Sequence, residues 1–176
     1  MKREELEHVL RASAAITNEH SFVVIGSQAV LLKFPLAPDE LLVSRELDLY
    51  PAMKPEQADL IDGAIGLGSQ FHDTFGYYAD GVGPETAVMP PDWMDRATLH
   101  YVGELTAICP DIHDLALSKA VAAREKDADF VRALLRHGMV DGASLLERAA
   151  QLETSRCDPA RVRAWVERRI AEASPS

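Results

Sequence analysis

Two short segments carry the residue types that could do chemistry. In Glu46-Leu47-Asp48-Leu49-Tyr50, acidic and apolar residues alternate. Alternate residues of a strand point to the same face, so Glu46 and Asp48 project together while Leu47 and Leu49 turn to the core. Two neighbouring carboxylates repel, and a Mg²⁺ between them removes that repulsion. A one-sided strand with solvated carboxylates has the same pattern, so both readings stand on the residues alone. Upstream, the apolar run Phe22-Val23-Val24-Ile25 ends at Gly26-Ser27. A glycine there lets a phosphate approach the backbone, and the N–H groups of a following helix and the Ser27 hydroxyl can donate to it. A plain turn is the alternative at that pair.

These residues need elements to hold them. Met1 to Glu19 reads as an amphipathic helix, with Leu6, Val9, Leu10 and Ala14 at helical spacing. Residues 21–26 read as a buried strand, and Ser27 to Leu32 as a short helix that the prolines at 35 and 38 break. Arg45 to Tyr50 reads as a strand ended by Pro51. Pro55 to Ile65 reads as a helix with Ala58, Leu60, Ile61 and Ile65 inward. Residues 66–76 read as loop. Phe75–Ala79, Thr86–Met89, Ala97–Val102 and Leu105–Cys109 are strand candidates, separated by turn signals such as Asp80-Gly81 and Pro90-Pro91. From Asp111 the pattern is helical, with Asp111, Asp141 and Asp158-Pro159 as start signals and Gly138 as a stop. The expected fold is α+β: residues 1–110 form a small mixed sheet with flanking helices, and residues 111–176 a C-terminal helical bundle. The tail Ser174-Pro175-Ser176 is expected to fray.

The composition bounds the function. The 176 residues are 47% hydrophobic and 26% charged, as in an ordinary globular chain. The net charge of -10 is a poor match to nucleic acid, whose phosphates need Lys and Arg. The whole excess lies in residues 1–110, with 7 basic and 17 acidic side chains; residues 111–176 hold 11 of each. No apolar run approaches the roughly 20 residues of a membrane span. The opening Met1-Lys2-Arg3-Glu4-Glu5 leads into no signal-like apolar stretch. Cys109 and Cys157 are the only cysteines, so no disulfide framework is expected, and a reducing cytoplasm is the expected location. Gly63, Gly66 and Gly68 do not form a dinucleotide-binding fingerprint, and there is no phosphate-loop, HExxH or zinc spacing.

The order of the two motifs resembles a minimal nucleotidyltransferase of the DNA polymerase beta superfamily. That superfamily carries Gly-Gly or Gly-Ser at a helix start and then an acidic-x-acidic strand, here Gly26-Ser27 and Glu46-Leu47-Asp48. More narrowly, the chain resembles bacterial proteins related to the toxin component of abortive-infection type IV systems. Their C-terminal pattern appears as Leu115-Ala116-Leu117-Ser118-Lys119 and Arg124-Glu125-Lys126-Asp127. The resemblance implies that Glu46 and Asp48 hold Mg²⁺ and that Gly26 and Ser27 hold the terminal phosphates of an NTP. It implies that Lys119 reaches a phosphate, with Arg124 or Lys126 assisting. It also implies a third carboxylate on a neighbouring strand that activates the incoming hydroxyl, for which Asp80 is the best candidate. Glu46 stands where an aspartate is commoner, which adds one methylene of reach.

The implied reaction moves a nucleoside monophosphate from an NTP to a hydroxyl of an RNA terminus or a protein, releasing pyrophosphate. A toxin-like enzyme with a cognate antitoxin or other partner protein fits that group, and no membrane partner is implied. The alternative is a catalytically inactive module of the same fold, with a binding or regulatory part in a toxin–antitoxin-type system. His72, Tyr77 and Tyr78 offer rings that can line a base pocket, or that simply pack a strand. Trp93 and Trp165 read as core or interface anchors.

Overall fold

A computed structural model describes residues 1–173; the tail expected to fray lies outside the described residues. Contacts divide the chain into two compact units. One comprises Met1–Thr86 and Ala97–Cys109; the other comprises Ala87–Arg96 and the chain from Pro110 onward. The helical unit therefore includes a ten-residue stretch, Ala87–Arg96, from within the acidic part of the sequence.

The first unit is a five-stranded mixed sheet with helices. Helix α1 spans Arg3–Thr17 and strand β1 Ser21–Ile25. A 3₁₀ turn, Ser27–Ala29, leads into the single-turn helix α2, Val30–Lys33. Strand β2 spans Glu46–Pro51, α3 Ala58–Ile65, α4 Gln70–Phe75, β3 Tyr78–Gly81, β4 Thr98–Val102 and β5 Leu105–Cys109. The strand order is β3-β2-β1-β5-β4. The β1–β2 and β4–β5 pairs are antiparallel, and β1–β5 and β2–β3 are parallel.

One face of this sheet is the core. Phe22, Val24, Leu47, Leu49, Ala79 and Ala107 are all fully buried there. Alternation makes that inevitable once Leu47 and Leu49 face inward, because one register shift would exchange the faces. Helix α3 lies close on this side. A side chain at Gly81 would come within 2.0 Å of the Ala58 carbonyl, so only glycine allows the approach. Leu6, Val9 and Leu10 of α1 and Ile61 of α3 are fully buried. At about 25 cal/mol per Å² of apolar surface, side chains of this size contribute about 2 kcal/mol each.

The second unit contains α5 (Ile112–Ala122), α6 (Glu125–Arg136), α7 (Gly142–Ala149) and α8 (Pro159–Ala173). Asp111 and Asp141 cap α5 and α7 by accepting the His113 and Ser144 N–H groups. Asp158 accepts the Ala160 N–H at the start of α8. Helix α5 is buried on nearly every side, Asp114 included, and α6, α7 and α8 pack around it.

Five local expectations are corrected. Residues 66–76 are not all loop: Ser69 caps α4 by accepting the His72 N–H at 3.2 Å, a six-residue element too short to show a periodicity. Phe75 therefore ends a helix, and the strand starts at Tyr78. Asp80-Gly81 is not a turn but the second half of β3, because pairing with β2 satisfies its backbone. Thr86–Met89 forms no strand; a 3₁₀ turn, Pro84–Thr86, precedes an irregular stretch. Leu60 is 54% exposed because Ala58, Ile61 and Ile65 take the inward stripe of α3.

Candidate active site on the sheet

The face of the sheet opposite the core carries the acidic residues. Strand β2 sits between β1 and β3, so its side chains on this face have neighbours on both sides. The β2–β3 register pairs Glu46 with Tyr78 and Asp48 with Asp80, and the β1–β2 register pairs Ile25 with Asp48. Partners in register point to the same side of a sheet. Glu46, Asp48, Tyr78 and Asp80 therefore form a two-by-two patch, and all four are half-buried.

Gly26 ends β1 beside this patch. Its backbone, at φ 77 and ψ 179, lies in a region essentially reserved for glycine. The Asp48 carboxylate also rests on it: a β-carbon at Gly26 would sit 1.6 Å from Asp48 Oδ2. So Gly26 is required both for its conformation and for the space that Asp48 occupies. Ser27 opens a 3₁₀ turn rather than an α-helix. Gln28, only 1% exposed, donates from Nε2 to Ser27 Oγ at 3.4 Å and to the Leu41 carbonyl at 3.2 Å. Ser27 Oγ thus accepts from Gln28, which leaves its own O–H to act as a donor.

Tyr78 donates its hydroxyl to Glu46 Oε2 at 3.0 Å. Its phenol pKa is pushed up to about 12, first by burial, then by the hydrogen bond to Glu46 and by the charges of Glu46, Asp80 and Asp48. Three carboxylates thus act on one phenol, which keeps its proton and remains a donor.

Among the described residues, no three His, Cys, Asp or Glu side chains are already gathered into a metal-holding group. The donor set still suits Mg²⁺. That ion takes oxygen ligands and is commonly held by one or two carboxylates plus substrate phosphates and water, not by an all-protein cage. Asp48 and Asp80, opposite each other on adjacent strands, supply such a pair; Glu46 lies two residues along.

The cationic candidates belong to the helical unit. Lys119 is half-buried on α5, between buried Ser118 and Ala120. Arg124 is exposed and donates from Nε to Asp127 Oδ2 at 2.7 Å, closing the N-terminus of α6. Lys126 is exposed on the first turn of α6. His72 and Tyr78 meet edge-on with centroids 4.9 Å apart. Tyr77 instead hydrogen-bonds His8 Nδ1 at 2.8 Å within a cluster that includes Phe71 and Phe75. Trp165 is 7% exposed, with the Arg169 guanidinium 4.8 Å over its ring, and Trp93 is half-buried.

Sequence reasoning missed two residues here: Tyr78 as the partner of Glu46, and Gln28 behind Ser27. Tyr78-x-Asp80 repeats the spacing of Glu46-x-Asp48, and that echo was the available signal.

No helix among the described residues is long and apolar enough to cross a membrane. Residues 4–169 match a family model described as "Nucleotidyltransferase of unknown function (DUF6036)". No curated protein and no solved structure matches the chain.

Proposed function

Since the chain belongs to this family of nucleotidyltransferases of unknown function, we propose that its acidic sheet face transfers a nucleoside monophosphate from an NTP to a hydroxyl, with Mg²⁺ assistance. The observation that carries this reading is the in-register pair Asp48 and Asp80 beside the glycine turn at Gly26. Mg²⁺, when bound, would neutralise phosphate charge and lower the barrier to in-line displacement.

The residues of this chain do the rest. Asp48 and Asp80 offer the two carboxylates of the metal site, with Glu46 beside them. Gly26, buried beneath the Asp48 carboxylate, makes the turn that sets Ser27 beside that carboxylate. Ser27 donates a hydroxyl whose lone pair Gln28 already engages. A carboxylate of this face would take the proton of the attacking hydroxyl, which forms a bond to the α-phosphorus as pyrophosphate leaves. The acceptor classes that fit are an RNA terminus or a protein hydroxyl, since an acidic surface disfavours a long nucleic-acid track. A toxin-like role with a cognate antitoxin is the biological setting we propose, in a cytoplasmic location.

A binding or regulatory module is the second reading. It draws on the absence, among the described residues, of a ready group of three metal ligands and on the engagement of Glu46 by a neutral phenol.

Incubation of the chain with each α-labelled NTP and Mg²⁺, with and without total tRNA and cell extract, separates the two. Label transfer that disappears in Asp48→Ala supports the enzyme. Mg²⁺–NTP binding without transfer to any acceptor supports the module. Neither binding nor transfer sinks both.

A further inference from the structure

We infer that Tyr78 is a positioning residue for the acidic face: its hydroxyl fixes Glu46, and His72 in turn fixes the Tyr78 ring. The inference rests on the reading of this face as a metal-dependent site. A glutamate has three side-chain torsions, and fixing them on binding a cation has an entropic cost. Here the fixing is done beforehand. Tyr78 stands directly opposite Glu46 in the β2–β3 register, and its hydroxyl reaches Oε2 at 3.0 Å. A hydrogen bond to an ionised carboxylate is among the stronger ones a side chain can make.

Behind Tyr78 lies a support that the core does not explain. Helix α4 has only six residues, and none of them is buried. A helix this short is unstable alone and must be held by its caps and contacts. Ser69 caps it, and the Gly68 N–H donates to His72 Nδ1 at 3.2 Å. The ring so held meets Tyr78 edge-on at 4.9 Å. The neighbouring Tyr77 bonds His8 through its hydroxyl and packs its ring on Phe71 and Phe75 of the same helix, so Tyr77→Phe removes the His8 bond and keeps that packing. The chain Gly68–His72–Tyr78–Glu46 therefore links a surface helix to one carboxylate of the acidic face.

The test uses Mn²⁺ as the probe, followed by electron paramagnetic resonance on the full chain. Tyr78→Phe removes only the hydroxyl and is expected to weaken Mn²⁺ binding about tenfold, the scale seen when an outer partner of a ligand is lost. His72→Ala is expected to act in the same direction and less, and Tyr77→Phe to leave Mn²⁺ affinity unchanged. In a Glu46→Gln background, Tyr78→Phe is expected to add nothing, because the two residues act as one unit. In the transfer assay kcat falls in Tyr78→Phe while the KM for NTP holds. Wild-type Mn²⁺ affinity in Tyr78→Phe overturns the inference, as does a full effect that persists beside Glu46→Gln. A chain that binds Mn²⁺ but transfers no nucleotide refutes the enzymatic reading alone, and the Mn²⁺ series then still decides the role of Tyr78. No Mn²⁺ binding by the wild-type chain overturns the inference itself.

Discussion

The two units treat their carboxylates in opposite ways. In the helical unit, Asp114 is fully buried and takes the Arg96 guanidinium through two hydrogen bonds, at 2.9 and 3.1 Å, with Arg148 3.2 Å away. Asp111 pairs with Arg148 at 2.6 Å, and Asp127 with Arg124. Burial there is offset by arginines, bidentate to Asp114 and Asp127 and through one nitrogen to Asp111. On the sheet, Glu46 receives a neutral phenol, Asp80 stands opposite Asp48, and Asp48 rests on Gly26. Three carboxylates are gathered on one half-buried face. The first arrangement sets arginines against its carboxylates; the second is where we propose that a divalent cation binds.

The sharpest way to break this contrast is to neutralise one carboxylate in each unit. Asp48→Asn or Asp80→Asn is expected to cut nucleotide transfer about 10²- to 10³-fold. The same changes should leave the chain folded in urea titration, so that lost transfer reports lost chemistry. A fall in stability without loss of transfer would reverse the assignment. Next in size, Arg96→Ala leaves Asp114 buried without its bidentate partner and should cost about 3 kcal/mol in urea unfolding; retention of wild-type stability would remove Asp114 from the structural class.

Gly26→Ala tests the join between backbone and carboxylate. It forces a side chain into a glycine-only conformation, at about 1–3 kcal/mol, and into the space of Asp48 Oδ2. Both stability and transfer should fall together, whereas Gly63→Ala, inside α3 with nothing within 4 Å, should leave transfer unchanged and raise stability by about 0.5–1 kcal/mol.

The smallest effect is in pH. The folded-state pKa values of Asp92 and Asp141 are lowered, by the Arg96 hydrogen bonds and by the Ser144 N–H respectively. A lowered carboxylate stabilises above its unfolded value of 3.8 and loses that contribution as pH falls through the folded value. Tyr78 runs the other way. Raised from 10.0 to about 12, it stabilises fully below pH 10 and loses that contribution as pH rises through about 12. Asp141→Asn should flatten the acid limb of melting temperature against pH, and Tyr78→Phe the alkaline limb. A Tyr78→Phe profile that parallels the wild type above pH 10 would detach Tyr78 from the acidic patch.

Much of the fold was legible because it is written in local signals. Helix α1 follows its apolar spacing, β1 its run of Phe22 to Ile25, and α5, α7 and α8 their aspartate caps. The carboxylate strand was legible for the same reason, since alternation alone puts Glu46 and Asp48 on one side. Helix α4 was not, because six residues span under two turns and bury nothing. Asp80-Gly81 misled because the local preference for a turn competes with pairing to β2, and the pairing prevails.

What the residues determined unaided is the mixed α/β class and the acidic pair on one strand, since both follow from patterns of period 2 and 3.6. Tertiary structure alone decided which carboxylate stands beside that pair, that Gly26 makes room for Asp48, and that Tyr78 holds Glu46. Each of these depends on the strand order β3-β2-β1 and its register. Register is a contact between segments some 30 residues apart, and no local preference encodes it.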